Sequence, residues 1–266
     1  MATVQFNRQQ YAANFKALHA GYERKSYKVF KKALNEQVAP VIAHVKRYGG
    51  IDGDVADMLV KKSPMEAAYK EVYETIGTRH AAYTYKQINS LGRSAKSVSF
   101  FSDAWRRLMN LFYTNSAADR VSDVTDTTRE RIRKILDDAD EQGLTTSEKA
   151  DYIVEQLDDP AFNRQRALVI ARTESTTAAN KGASIGNEDA DYETVKQWLA
   201  IEDAVTRPSH ADADGQTVEN TEYFIVGGES CQYPGDPILS AKESIQCRCT
   251  SVYLPKLSAL GLPILK

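Results

Sequence analysis

The stretch Gln246–Leu254 reads QCRCTSVYL, with Pro255 next. β-branched and aromatic residues crowd its second half, so the pattern predicts a strand. Residues two apart on a strand point the same way. Cys247 and Cys249 are therefore expected to project together, with Arg248 turned to the opposite side. Upstream, Thr194–Ile201 (TVKQWLAI) and Tyr223–Val226 (YFIV) have the same character and are separated by Gly, Pro, Asp and Asn. Asp214-Gly215 is a turn dipeptide of the hairpin kind, and Gly227-Gly228 reads as another turn.

Before these strands the chain reads helical. From Ala12 to Tyr48 apolar residues recur at three and four, from Phe15, Leu18 and Tyr22 to Val38, Val41 and Val45. Pro40 is expected to kink or split that run, and Gly49-Gly50 to end it. Helical patterns return over 64–86, 100–113 and 124–141, the second (FFSDAWRRLMNLFY) dense enough in aromatics to be core. Thr145 and Glu148 have capping-box spacing before a short helix carrying Ile153, Val154 and Leu157. Asp158-Asp159-Pro160 then opens a long helix to about Gly182, on which Arg172, Thr176 and Asn180 share one face. The expected fold is α+β: a mostly helical N-terminal body, then a small C-terminal α+β domain with short antiparallel strands. The divisions read as 1–120, a helical connector at 121–160, and 161–266.

At 266 residues the chain has room for one large core or two small ones. Net charge is −2, unevenly spread. Residues 1–49 hold nine Lys/Arg against two acids, and residues 121–160 hold twelve acids against five bases. Lys25, Lys28, Lys31 and Lys32 form a basic patch suited to DNA or to an acidic protein surface. The acidic block reads as a solvated face. No signal-peptide core and no membrane-length apolar run is visible, so a cytoplasmic site of synthesis is expected. Three cysteines in a chain of this length do not make a disulfide scaffold.

The cysteines nonetheless offer chemistry. His210, Cys231, Cys247 and Cys249 are a donor set that zinc accepts. The Cys-x-Cys spacing lacks the paired knuckle of common zinc motifs, and buried thiols also serve as plain packing groups. Alternatively, Cys247 or Cys249 with His210, oriented by Asp212 or Asp214, would make a thiol nucleophile with its base. Asp203, Arg207 and Glu243 read as a buried network holding loops to strands. ARTESTT, Ala171–Thr177, shares letters with the Arg and Ser-Thr-Ser elements of ADP-ribosyltransferases. There the two elements lie on separate strands, whereas here both fall on one predicted helix, so the spacing fails. VGGES is followed by no Lys-Ser/Thr and makes no phosphate cradle.

Several motifs stand in a telling order: GLTTSE (Gly143–Glu148), IARTESTTAANKG (Ile170–Gly182), KQWLAIEDAVTRPSHADADGQTV (Lys196–Val218), FIVGGE (Phe224–Glu229), YPGDP (Tyr233–Pro237) and QCRC (Gln246–Cys249). Together they resemble the phage Mu protein F-like minor head proteins, also called phage head morphogenesis proteins. The likeness runs from about Phe101 to Pro255. Gln246 stands where the family usually has asparagine, and Asp-Ala-Asp-Gly where it often has a bulkier residue before Asp-Gly. The resemblance implies a virion component associated with the portal and with head assembly, carried inside the head near the portal vertex and made in the host cytoplasm. Its partners would be the portal or major capsid protein and, with them, packaged double-stranded DNA. It implies no enzymatic activity and no cofactor. Arg172, Glu174, Asn180, Asp203, Arg207, His210, Asp214 and Arg248 are then expected to tie the domain's loops together. The competing reading is a virion-delivered enzyme or toxin using the Cys/His site.

Overall fold

The computed structural model describes residues 2–90, 98–201 and 205–266. Asp203 lies outside them. In chain order the helices are α1 (Arg8–Tyr48), α2 (Gly53–Leu59), α3 (Ser63–Val72), α4 (Thr78–Asn89), α5 (Val98–Ser116), α6 (Ala118–Glu141), α7 (Thr146–Asp158) and α8 (Pro160–Glu188). A π-helical segment, Tyr73–Gly77, joins α3 to α4. The remaining elements are β1 (Thr194–Leu199), α9 (Pro208–Asp212), β2 (Thr217–Glu219), β3 (Phe224–Val226), β4 (Glu229–Cys231), α10 (Ala241–Ser244) and β5 (Thr250–Pro255). This is the expected order: helices first, then short antiparallel strands. No helix among the described residues is long and apolar enough to cross a membrane.

The chain divides into two compact units, each assembled from separate segments. One unit comprises Tyr27–Glu71 and Tyr113–Leu168 and is wholly helical. Its core gathers Val38, Val41 and Val45 of α1, Val60, Ile132 and Leu136 of α6, and Ile153 and Leu157 of α7. Gln37 sits buried in this core with its amide satisfied. It donates to Thr125 Oγ1 and the Lys61 carbonyl, and it accepts from Thr128 Oγ1. The capping box forms as read, with Glu148 reaching back to the Thr145 N–H and the Thr145 hydroxyl accepting from Glu148 N–H. α1 is one helix through Pro40, neither split nor ended there. Its apolar stripe is consumed by the chain's own cores, with Phe15, Phe30, Leu34, Val41 and Val45 all at zero exposure. That stripe is therefore not a free docking face.

The other unit comprises Met1–Ser26, Val72–Phe112 and Val169–Lys266. Its sheet has the order β2-β1-β5, antiparallel throughout, with Lys196 opposite Tyr253 and Val218. Side chains alternate across β1, as the two-residue period of a strand requires. Val195 and Leu199 pack with Val252, Leu254, Phe6 and Tyr11 on one face. Trp198 packs on the other with Phe224, Val226, Cys231, Cys247 and Cys249. β3 and β4 form a hairpin whose two linking residues, Gly227 (φ +59°) and Gly228 (φ +84°), both need the left-handed region. Gly227 is constrained a second way, because a Cβ there would lie 2.6 Å from the Glu243 carboxylate.

α8 is the mast of this unit and runs six residues past the expected end at Gly182. Gly182 and Gly186 let α8 approach the π segment and α4 backbone to backbone. Added Cβ atoms would stand 2.2 Å from the carbonyl oxygens of Gly77 and Ala81. Such contact is open only to residues without side chains. Of the aromatic stretch in α5, Trp105 and Met109 are fully buried and Trp105 stacks on Phe101, but Phe100 and Leu111 are exposed. The stretch is core on one face only.

Candidate metal centre and the ties around it

β5 begins at Thr250, so Cys247–Cys249 precede the strand instead of lying on it. The alternation survives in that lead-in. Both sulfurs turn toward His210 of α9, while Arg248 lines a cavity of about 110 Å³ with Phe15, His19 and Ile201. His210 Nδ1 lies 3.4 Å from Cys249 Sγ and 3.7 Å from Cys247 Sγ. The three donor atoms lie within 4.8 Å of one another, and all three residues are buried. Cys231 shares their apolar cluster but is not among the converging atoms. It sits on β4, opposite Phe224, and burial pushes its thiol up to about 12.

The orienting carboxylate comes from neither Asp212, which is exposed, nor Asp214. Glu243 of α10 supplies it: its Oε2 lies 3.1 Å from His210 Nε2 and accepts from Ser209 Oγ at 2.8 Å. Glu243 has zero exposure. Burial alone would raise its carboxyl, but the Ser209 and Lys242 contacts outweigh that and hold it below the usual range. Trp198 meets the imidazole edge-on, with ring centroids 5.8 Å apart. The hydrogen bond it shares with Cys247 lowers the Cys249 thiol to about 5 against the effect of burial, and His210 adds to that lowering. The same sharing, with burial, raises Cys247. Chemically the set can hold a soft divalent metal or stabilise one thiolate beside an imidazole.

α8 fastens this region from below. Asn180, fully buried, donates through Nδ2 to the carbonyls of Pro234 and Cys249, both at 3.0 Å. Its Oδ1 accepts from Thr250 Oγ1 and Ser251 N–H. Thr176 donates to the Cys247 carbonyl at 2.5 Å and Thr177 to the Gly235 carbonyl at 2.7 Å. Thr173 Oγ1 accepts from the Gln246 N–H. Arg172 donates to Gln246 Oε1 and pairs with Glu23 at 3.0 Å. Glu174 takes the hydroxyl proton of Tyr73 in a 2.6 Å bond.

Other expected ties are placed differently. Arg207 donates to the Ile245 carbonyl. Asp214 stands apart from His210: its carboxylate receives both Arg8 Nη2 and the Ala200 N–H. Glu243 was legible as a charged residue in a motif-rich stretch, but nothing in the spacing joins it to His210. Thr173 and Thr177 carry no signal of their own beyond sharing the helix with Asn180. Of the N-terminal lysines, Lys25, Lys28 and Lys32 are exposed, and Lys31 lies over the Tyr27 ring. Lys32 also pairs with Glu36 at 3.6 Å.

What the fold and these bonds define is a small α+β domain tied to one long helix through its backbone carbonyls. Residues 130–252 match the family model of the phage Mu protein F like proteins. The chain is 30% identical over 139 residues to the uncharacterized protein YqbB of Bacillus subtilis (strain 168), covering 51% of this chain and 45% of that one. It is 32% identical over 114 residues to the NAD(+)–arginine ADP-ribosyltransferase EFV of Enterococcus faecalis (strain ATCC 700802 / V583), covering 42% of this chain and 23% of that enzyme. The chain spans less than half the length of either relative. No solved structure matches it.

Proposed function

We propose that this chain is a structural minor head protein of a tailed bacteriophage, associated with the portal vertex and acting in head assembly. The observation that carries the proposal is the match to the Mu F-like family, whose IARTESTTAANKG, YPGDP and QCRC motifs coincide with the ties between α8, the loops and the lead-in to β5. A shaped part needs its loops held in place, and those bonds do that. The Cys–His–Glu set supports the same reading. Exposures of 2% for His210 and Cys247, 3% for Cys249 and 0% for Glu243 leave no path for a substrate carbonyl to reach the sulfur. The likeness to the ADP-ribosyltransferase supports a shared domain and not shared chemistry. It covers 23% of that enzyme, and Arg172, Ser175, Thr176 and Thr177 all lie on α8. Ser175, Thr176 and Thr177 are fully buried and bonded within the fold.

The exposed basic face of α1 is the surface assigned to DNA or to an acidic portal surface. Mass spectrometry of purified particles from the encoding phage, with and without DNA, tests the assignment. The chain should be present in few copies in both and should co-purify with the portal protein. Its absence from assembled heads would sink the proposal. A Lys25, Lys28, Lys31 and Lys32 to Glu variant separates the partners. If DNA is the partner, wild-type binding falls steeply with salt and the variant loses it. Salt-insensitive binding to the portal assigns the face to protein.

A further inference from the structure

We propose that His210 Nδ1, Cys247 Sγ and Cys249 Sγ form a zinc site inside the Mu F-like domain, with Glu243 orienting the histidine. Three features carry this. The first is distance. Ligand bonds of about 2.3 Å to sulfur and 2.0–2.1 Å to nitrogen, at the tetrahedral angle, place N and S about 3.6 Å apart. The two N···S separations are 3.4 and 3.7 Å.

The second feature is how the donors are aimed. Glu243 Oε2 stands 3.1 Å from the far nitrogen of His210, so its negative charge favours the proton on Nε2 and leaves the Nδ1 lone pair on the side of the sulfurs. Carboxylate, imidazole and metal in a row is the arrangement that fixes a ligating histidine. The third feature is convergence: both sulfurs and Nδ1 lie within 4.8 Å of one another with all three residues buried. A divalent cation engages both sulfurs and that lone pair together. On binding, any proton still held on the sulfurs leaves to solvent, so the metal is held by two thiolates that balance the charge of one zinc ion.

Burial fits a structural centre. Trp198 and Phe224 wall the site, the Cys247 and Cys249 carbonyls are already held by Thr176 and Asn180, and the ligands come from α9 and from the lead-in to β5. A metal here cross-links α9 to the lead-in to β5. Among the described residues no fourth side-chain donor joins the group, and Cys231 is excluded from it.

The test uses the full chain, untagged and reduced, purified from zinc-supplemented culture without chelator. Elemental analysis should find one zinc per chain. Chelator-stripped protein titrated with zinc at neutral pH should release protons in proportion to the ion bound. Cobalt in its place should give thiolate-to-cobalt charge-transfer absorption with the intensity of a four-coordinate site, and X-ray absorption should count two sulfurs. Cys231→Ser should keep the metal, and Cys247→Ser with Cys249→Ser should lose it. If the double variant does not fold, the wild-type cobalt spectrum and sulfur count still decide. A wild-type protein that neither carries nor takes up stoichiometric zinc overturns the proposal. Loss of metal in Cys231→Ser, or three sulfurs around the ion, overturns the three-donor assignment.

Discussion

Asn180→Ala should unfold the unit built around α8 and the sheet more effectively than any surface change. Truncation strands the carbonyls of Pro234 and Cys249 and the N–H of Ser251 in a site with no exposure. The Thr250 hydroxyl keeps only a 3.4 Å contact with the Ser251 carbonyl. Each buried group left unpaired costs about 1–3 kcal/mol. Three such groups, with some relief from the space the amide vacates, give a loss of about 3–5 kcal/mol. That is a large fraction of the roughly 5–15 kcal/mol that holds a domain folded. The assay is urea unfolding followed by tryptophan fluorescence. Both tryptophans, Trp105 and Trp198, belong to the unit that contains Asn180, so the signal reports that unit. Asn180→Asp refines the test. It keeps the acceptor but sets a carboxylate oxygen against two carbonyls, so it should be as destabilised at neutral pH. It should recover on acidification, when the protonated carboxyl donates to one of them. A loss below about 1 kcal/mol for Asn180→Ala would refute the claim that this amide is the central tie.

Gln246 holds φ +58°, a region that costs a side-chain-bearing residue about 1–2 kcal/mol and that asparagine tolerates better. Gln246→Asn should raise the urea midpoint if the shorter amide keeps its bond to Arg172, and a lower midpoint would mean that bond is worth more than the backbone strain. Gly182→Ala drives a Cβ into the Gly77 carbonyl and should cost about 2 kcal/mol or more, whereas Gly53→Ala, whose nearest neighbour is 4.0 Å away, should cost almost nothing. Equal costs would show that the helix approach is not rigid. Burial lowers the Lys196 ammonium to about 8, although Cys231, Asp236 and Glu222 pull the other way. Above pH 8 the folded chain has shed this proton while the unfolded chain keeps it to about 10.4. The charged form's penalty is thus full below pH 8 and relieved as pH rises through that window. Stability relative to Lys196→Met should therefore climb between pH 8 and 10, and a flat difference would disprove the assignment.

The helices, their order and the β1, β3 and β5 strands were legible because each has a clean period or a punctuating Gly, Pro or capping pair. The placement of Cys247 and Cys249 beside a strand misled only in its boundary. Backbone bonding begins at Thr250, but the extended lead-in keeps the same alternation. The site itself was half legible. Sequence names His210 and the two sulfurs, yet pairing His210 with Glu243 depends on α10 folding back over the β3–β4 turn, a contact no spacing encodes. Asp214 is a tie as expected, but its partners, Arg8 far away in sequence and the Ala200 N–H, take it away from His210. The stripe of α1 announced burial but not its partner, since periodicity says which face is apolar and not what covers it.

Thr3 bridges to Lys256, the Val4 N–H bonds to the Pro255 carbonyl, and Leu257 N–H bonds back to Ala2. At a synthesis rate of about 5–20 residues per second, the first partner waits roughly 13–50 seconds on the ribosome for the second. Arg8 waits almost as long for Asp214, and Phe15 and Tyr22 emerge well before the segment Val169–Lys266 with which they share a unit. The N-terminal part of nascent α1 thus lacks part of its cover until the segment Val169–Lys266 is made. A product cut short near residue 250 would lack the strand end on which residues 2–4 close.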